Sequence, residues 1–327
     1  MKNLIKAILF PFVFLVGYCS FILTKRTNNL AYASFRYLFV LTNGRLNNCI
    51  SFFISITNPY KKENNTESLL VPNTKVSEIV KNINENGYSE FETNLSDEIV
   101  EKLIEFANKT EANILDTNAK GVKYLSQKSK IDFLNIRSPR YQFEGKELAN
   151  TPAVQSIIFD PIFTEIAGNY LKCQPILELV TMWWSFPFNN QATSQAAQMY
   201  HFDMDRIKFL KFFFYLTDVH EENGPHCYIK KSHIRLSSTV RKDRRLTDDE
   251  LKNIFPTDSF KEFTGKKGTI LAVDTRGLHK GKPLVKDARL LFQIQFSNSL
   301  FGAPYEKMKI EKQEIIPIKN RTFQLFK

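Results

Sequence analysis

Paired cysteines are missing from this chain. Cys19, Cys49, Cys173 and Cys227 stand far apart with no C-x-x-C pair among them. That excludes a zinc ribbon and a thioredoxin-like motif, and the lack of a dense disulfide framework fits a reducing compartment. Glycine and proline are also sparse, twelve and thirteen in 327 residues, with no collagen-like or linker-like signature. No internal repeat appears at a solenoid or propeller period. The formal net charge is +11, yet the lysines are spread along the chain. The one dense basic run, "KKSHIRLSSTVRKDRR" from Lys230 to Arg245, is followed at once by the acidic "LTDDELKN". That pattern is a solvated helix face with a loop, and no nucleic-acid partner is expected.

What is present is enough apolar sequence, 43% of residues, for one large domain with an appendage. The stretch "LIKAILFPFVFLVGYCSFIL", Leu4 to Leu23, is broken only by Lys6 and Pro11 and is long enough to span a bilayer. Tyr18 and Cys19 make poor small-residue cleavage positions, so a removed signal peptide is not indicated. A second apolar stretch reads as two helices around Asn43–Gly44. Residues 1–60 are therefore expected to form either a membrane anchor, with association through residues 4–23, or a helical cap on the main domain. A polar segment containing Pro59 leads into a linker over 61–74, the main domain is placed at 75–302, and a C-terminal extension at 303–327.

"KVSEIVKNINENGYSEF" sets Val76, Ile79, Val80 and Ile83 on one helical face and stops at Gly87. A second helix follows Ser96 as N-cap, and a third follows Asp160. From Ile176 the texture changes to short β-branched and aromatic runs, "ILELVTMWWSF", "KFLKFFFYLTDV", "HCYIKK", "GTILAVD" and "RLLFQIQFSNS". They read as strands, interrupted by an insertion over 234–261 whose helix starts at a Thr247–Glu250 capping box. Helices first and many short strands after predict an α+β chain whose β part is a jelly roll.

The chemistry centres on "QMYHFDMD". On a strand, His201 and Asp203 would face the same side, and an ionised carboxylate there needs a partner. Two histidines and one carboxylate occupy one face of an octahedral ion and leave the other open, as in non-heme iron(II) oxygenases. Of His220, His226, His233 and His279, the preferred third ligand is His279, in "GTILAVDTRGLHKGKP". Ten residues on, Arg289 opens a strand with one apolar and one mostly polar face. If the polar face lines a cavity, the guanidinium can grip a carboxylate bidentately. Trp183 and Trp184 face opposite sides, one to the core and one toward the pocket.

From about Lys75 to Gly302 the chain resembles the phytanoyl-CoA dioxygenase family of Fe(II)/2-oxoglutarate oxygenases. The resemblance is carried by "QMYHFDMD", "LKFFFYLTDVHEENGPHCYIKKSH", "GTILAVDTRGLHKG" and "RLLFQIQFS" in that order. It implies a double-stranded β-helix (cupin-like jelly roll) with flanking N-terminal helices and a helical insertion. It implies His201, Asp203 and His279 as iron(II) ligands and Arg289 as partner of the distal carboxylate of 2-oxoglutarate. Gln198 and Tyr215 would be further 2-oxoglutarate contacts. Two departures stand out. Lys230-Lys231-Ser232-His233 replaces the Pro-Gly-Ser-His of many members, and Gly281 replaces a hydroxylic residue found in some two positions after the distal histidine.

The expected function is oxygen-dependent hydroxylation of a small-molecule or lipid-like substrate, with release of succinate and CO₂. The carboxylate of Asp203 favours hydroxylation, since related halogenases lack it. The basic run 230–245 is long enough for a lid and suits an anionic substrate. Nucleic-acid demethylases of similar motif carry a second arginine six residues after the first, where this chain has Gln295. The remaining alternatives are a metal- or ligand-binding jelly roll without turnover and a membrane-associated structural protein. Iron(II), 2-oxoglutarate and a reducing milieu are cytoplasmic supplies, so the catalytic domain is expected to face the cytoplasm. Oligomeric state is not encoded in any motif.

Overall fold

The computed structural model describes residues 2–62, 67–119, 121–188, 192–307 and 310, so most of the expected C-terminal extension lies outside the described residues. Among them, eleven strands form two antiparallel sheets. The larger runs β1 (Tyr88–Glu90), β9 (Ile270–Val273), β6 (Phe209–Tyr215), β11 (Arg289–Ser297), β5 (Ile176–Ser185), β4 (Arg140–Gln142), β2 (Ala112–Leu115) and β3 (Tyr124–Ser129). The smaller runs β10 (His279–Gly281), β7 (His226–Ile229) and β8 (Phe260–Phe263). The two sheets make the double-stranded β-helix of a cupin-like jelly roll.

Alternation along the long strands decides what each face meets. Leu210, Phe212 and Phe214 of β6, with Leu290, Phe292, Ile294 and Phe296 of β11, join one apolar core. Helices α4 (Val76–Asn86), α5 (Asp97–Lys109), α6 (Gly145–Ala149), α7 (Pro152–Ile158) and α8 (Pro161–Leu171) contribute to that core. Their ends follow the local signals. Gly87 closes α4 at φ +94, where a Cβ would run into the Tyr228 ring. Asp160 caps α8 with one carboxylate oxygen, while the other accepts from Ser68 and from the Leu69 and Leu70 amides, docking the end of the linker. The insertion helix α9 (Asp248–Lys252) starts at the Thr247–Glu250 capping box.

The opposite face of the large sheet presents Trp183, Phe213, Tyr215, Leu271, Val273 and Leu291 toward Tyr228 and Phe263 of the small sheet. Between these layers lies the cavity described below.

Helices α1 (Lys2–Thr24), α2 (Asn29–Thr42) and α3 (Arg45–Thr57) pack on this body as a cap. Phe14, Phe21 and Phe35 surround Phe301 edge-on. Asn47 donates to the Ile207 carbonyl, and Arg276 donates to Asn48. Lys6–Thr24 has a mean hydropathy of 2.2, so α1 is long and apolar enough by composition to cross a membrane.

Candidate active site

His201 and Asp203 are not in a strand interior, as alternation along "YHFDMD" suggested. His201 makes an isolated bridge to His279, and Asp203 lies in the irregular segment before β6, its amide bonded to the Thr275 carbonyl. The bridge sets the two imidazoles 4.3 Å apart between ring centres. His201 Nε2 stands 3.6 Å from Asp203 Oδ1, and His279 Nε2 stands 3.5 Å from Oδ2. One potential ligand atom from each of the three lies within 4.8 Å of the others.

Each ring is fixed from behind. His201 Nδ1 lies 2.9 Å from the Met199 carbonyl, and His279 Nδ1 lies 3.0 Å from the Gly277 carbonyl. A carbonyl only accepts, so Nδ1 carries the proton and Nε2 keeps its lone pair, the arrangement typical of metal-binding imidazoles. Burial pushes the His201 imidazole down to about 3 and lowers His279 as well, so both rings are neutral at neutral pH. Burial alone would raise the Asp203 carboxyl. The Lys211 ammonium, then the two imidazoles, outweigh it and hold the group well below the usual carboxylate range. Lys211 reaches Asp203 Oδ2 at 2.7 Å from the inner face of β6.

The trio opens into a cavity of about 260 Å³. Trp183, Phe213 and Leu291 supply apolar wall, and Arg140, Gln142, Thr181, Lys211, His226, Arg289 and Gln293 supply polar groups. Arg289 and Arg140 both register opposite Ser185, from the two strands that flank β5. Arg289 Nη2 donates to Ser185 Oγ at 3.4 Å. A Cβ at Gly281 of β10 would stand 3.6 Å from Arg289 Nη2, an ordinary contact, so the hydroxyl beside this guanidinium comes instead from Ser185 of β5. Arg140 lies over the Trp183 ring at 4.1 Å and donates to Gln142 at 2.8 Å. Buried polar atoms without a partner collect here: Arg140 Nε, Arg289 Nε, Thr181 Oγ1 and His226 Nε2. Such atoms normally find a partner in a ligand or water.

The other expected residues are placed differently. Gln198 does not line the cavity; its Oε1 accepts from the Thr193 amide and hydroxyl and holds the 193–198 loop. The Tyr215 hydroxyl is occupied, donating to the Phe263 carbonyl and accepting from the His226 amide. No residue of the basic run 230–245 lines the cavity. Its last member, Arg245, acts on Asp203 electrostatically. His233 Nε2 meets the Asn84 carbonyl at the end of α4. Of the two tryptophans, Trp183 walls the cavity and Trp184 joins the core.

Three cavity residues were not visible as such in the sequence. A lysine amid the aromatics of "KFLKFFFY" was a usable sign for Lys211. His226 alternates with Tyr228 on β7 and stacks 5.6 Å from His279, which follows only from the pairing of β7 with β10. Arg140 sits on a three-residue strand too short to show a period.

A jelly roll carrying His-x-Asp, a distal histidine and a buried arginine defines an Fe(II)/2-oxoglutarate-dependent oxygenase. The family model for phytanoyl-CoA dioxygenase (PhyH) matches residues 83–288, and the chain belongs to that family. Iron(II) and 2-oxoglutarate are accordingly its cofactor and cosubstrate. Comparison with curated protein sequences returned no match. Among solved structures, the chain is similar to the α-ketoglutarate-dependent epimerase SnoN from nogalamycin biosynthesis: 13% identity, 68% of this chain and 82% of that one, TM-score 0.49. For the carbocyclase SnoK from the same biosynthesis, the values are 16% identity, 70% and 86% coverage, and TM-score 0.48. For EctD from S. alaskensis with bound Fe they are 13%, 73% and 80%, and 0.48.

Proposed function

We propose that the chain hydroxylates a small anionic substrate, with His201, Asp203 and His279 as the iron(II) ligands. The observation that carries the ligand assignment is the pair of Nδ1–carbonyl contacts, which leave both Nε2 lone pairs converging on Asp203. The donor set suits iron(II): two neutral imidazoles and one carboxylate kept ionised by its surroundings. Bound iron(II) supplies the activation of O₂ that couples decarboxylation of 2-oxoglutarate to oxidation of the substrate.

The chain's own residues do the rest. Lys211 fixes the rotamer of Asp203 through Oδ2 and leaves Oδ1 without a cation partner. Arg289, with the Ser185 hydroxyl beside it, offers a buried fork for the distal carboxylate of 2-oxoglutarate. Trp183, Phe213 and Leu291 keep water from the reacting groups. Asp203 itself supports hydroxylation, since a carboxylate occupies the place that halide would need.

Charge supports an anionic substrate. Arg140, Lys211 and Arg289 of the cavity face two carboxylates, Asp203 in the cavity and Asp205 behind it, both within ion-pair reach of Lys211. The two positive charges of iron(II) and the two negative charges of 2-oxoglutarate cancel. A surplus of one cation remains, and a buried cation without a partner is costly. Arg140, whose Nε is unpartnered in the same cavity as the unpartnered Thr181 hydroxyl, is the group a substrate carboxylate or phosphate would meet. The small cavity admits a small molecule or the end of a longer one.

All four cysteines are free thiols, and reduced thiols, iron(II) and 2-oxoglutarate are together supplied in the cytoplasm, where we place the catalytic domain. The test is succinate formation from 2-oxoglutarate by anaerobically iron-loaded protein, beside Asp203→Ala and the shape-preserving Asp203→Asn. Calorimetric iron(II) binding is the second readout. The expected result is Asp203-dependent succinate and at least 100-fold weaker iron binding in both variants. Unimpaired iron binding in Asp203→Asn would refute the ligand assignment. Iron binding without succinate across candidate anions would favour a binding protein.

A further inference from the structure

We infer that the outer faces of α1 and α3 dock this chain on a lipid bilayer with an anionic surface, the helices lying along it. This inference is independent of the iron site and goes beyond the reaction.

Helix α1 is apolar all round but packs only one stripe. Phe14 and Phe21 are buried, and a Cβ on Gly17 would fall 2.3 Å from that of Ala31, so α1 lies tight against α2 along its length. Its other side leaves Phe12 68% and Leu23 84% exposed, with Ile8, Leu15, Val16 and Ile22 also in solvent. On α3, Phe52, Phe53 and Ile56 are likewise exposed. The amphipathic helices α4 and α5 bury Ile79, Ile83, Val100 and Leu103 instead. Large apolar side chains turned outward along a whole helix mark an interaction surface.

Charge identifies the occupant. Residues 1–62 contain eight Lys or Arg and no Asp or Glu, which is eight of the chain's eleven net positive charges. The remaining residues carry 37 basic against 34 acidic side chains. Lys25, Arg26 and Arg45 flank the apolar helices and are exposed. Such a surface attracts anionic headgroups. A second copy meeting it face to face would bring like charges together. Helix α2, packed against α1 and α3, bears on the active site. Phe39 of α2 stacks 5.6 Å from Phe202, between His201 and Asp203. Arg36 pairs with Asp243, and Asn43 both donates to and accepts from Leu236 of the insertion.

The test is flotation of the full chain with vesicles of phosphatidylcholine alone or mixed with phosphatidylglycerol. We expect at least tenfold more protein on the mixed vesicles. Lys25→Glu with Arg26→Glu and Arg45→Glu should abolish that preference. Phe12→Glu with Leu15→Glu should abolish binding to either vesicle. Iron(II) affinity should be unchanged in both variants, which shows that they fold and separates this inference from the reaction assigned above. Equal binding to both vesicles, or none, overturns the inference. So does a dimer in light scattering that Phe12→Glu with Leu15→Glu returns to monomer.

Discussion

The two faces of the large sheet are built from the same strands and do opposite work. On β11, Leu290, Phe292, Ile294 and Phe296 point to the helices and join an unbroken apolar core. The residues between them, Arg289, Leu291 and Gln293, line the cavity. On β6, Phe212 and Phe214 face the helices while Lys211 and Phe213 face the cavity. The helix-facing side chains of β6 and β11 are all groups that gain by leaving water. The other face holds two unpaired guanidinium groups and a lysine–aspartate pair, whose burial costs stability unless ligands complete them. Stability and chemistry are thus separated by a single-residue alternation.

That separation can be broken deliberately. The largest effect on stability should come from the helix-facing side. Phe292→Ala is expected to cost about 3–5 kcal/mol through the cavity it leaves, read by urea unfolding. A loss below about 1 kcal/mol would mean that the face repacks freely. Arg289→Gln, one residue position from the apolar face, should leave stability unchanged or raise it, because it removes a buried unpaired cation. Its effect should instead be about 10–100-fold weaker 2-oxoglutarate binding, the range expected for hydrogen bonds to a charged group. Arg140→Gln sharpens the division within the cavity. It should change 2-oxoglutarate affinity by less than about threefold, on the reasoning that Arg140 faces the substrate; a loss equal to that of Arg289→Gln would place it on the cosubstrate.

The cavity face also sets the pH dependence of stability. Burial lowers His201, His226 and His279 below the ordinary imidazole value, so in the metal-free protein the unfolded chain takes up protons first as pH falls. Stability should be flat above about pH 6.5 and decline below it, by up to about 1.4 kcal/mol per pH unit for each histidine. The depressed Asp203 carboxyl adds to the decline below about pH 4. Melting temperature against pH, with and without His226→Phe, checks the direction. An unchanged slope in that variant would remove His226 from the account.

Much of this was legible in the chain. The stop at Gly87, the start at Asp160, the capping box at Thr247, and the two faces of "RLLFQIQFS" were readable because caps and alternation act over a few residues. The set His201, Asp203, His279 and Arg289 was readable as an ordered pattern shared with a family. Other features were not legible, for definite reasons. "YHFDMD" alternates like a strand but makes only isolated bridges, Tyr200 to Leu246 and His201 to His279, with no continuous ladder. Gln198 Oε1 is taken by Thr193, and the Tyr215 hydroxyl by Phe263 and His226, partners that lie far from the motif in sequence or in an irregular loop. The basic run was expected as the source of anion selectivity, but the cations lining the cavity come from β4, β6 and β11.

The sequence by itself determined the jelly roll, its helical flanks and the ordered His-x-Asp, distal histidine and arginine pattern, because periodicity, caps and motif order are properties of neighbours along the chain. Only the tertiary structure decided that Arg140 stands across Ser185 from Arg289, that His226 stacks on His279, and that α1 is half packed and half bare. Those facts depend on which distant segments share a strand pair or a helix contact, and a hydrophobic run looks the same in sequence whichever of its sides the fold happens to cover.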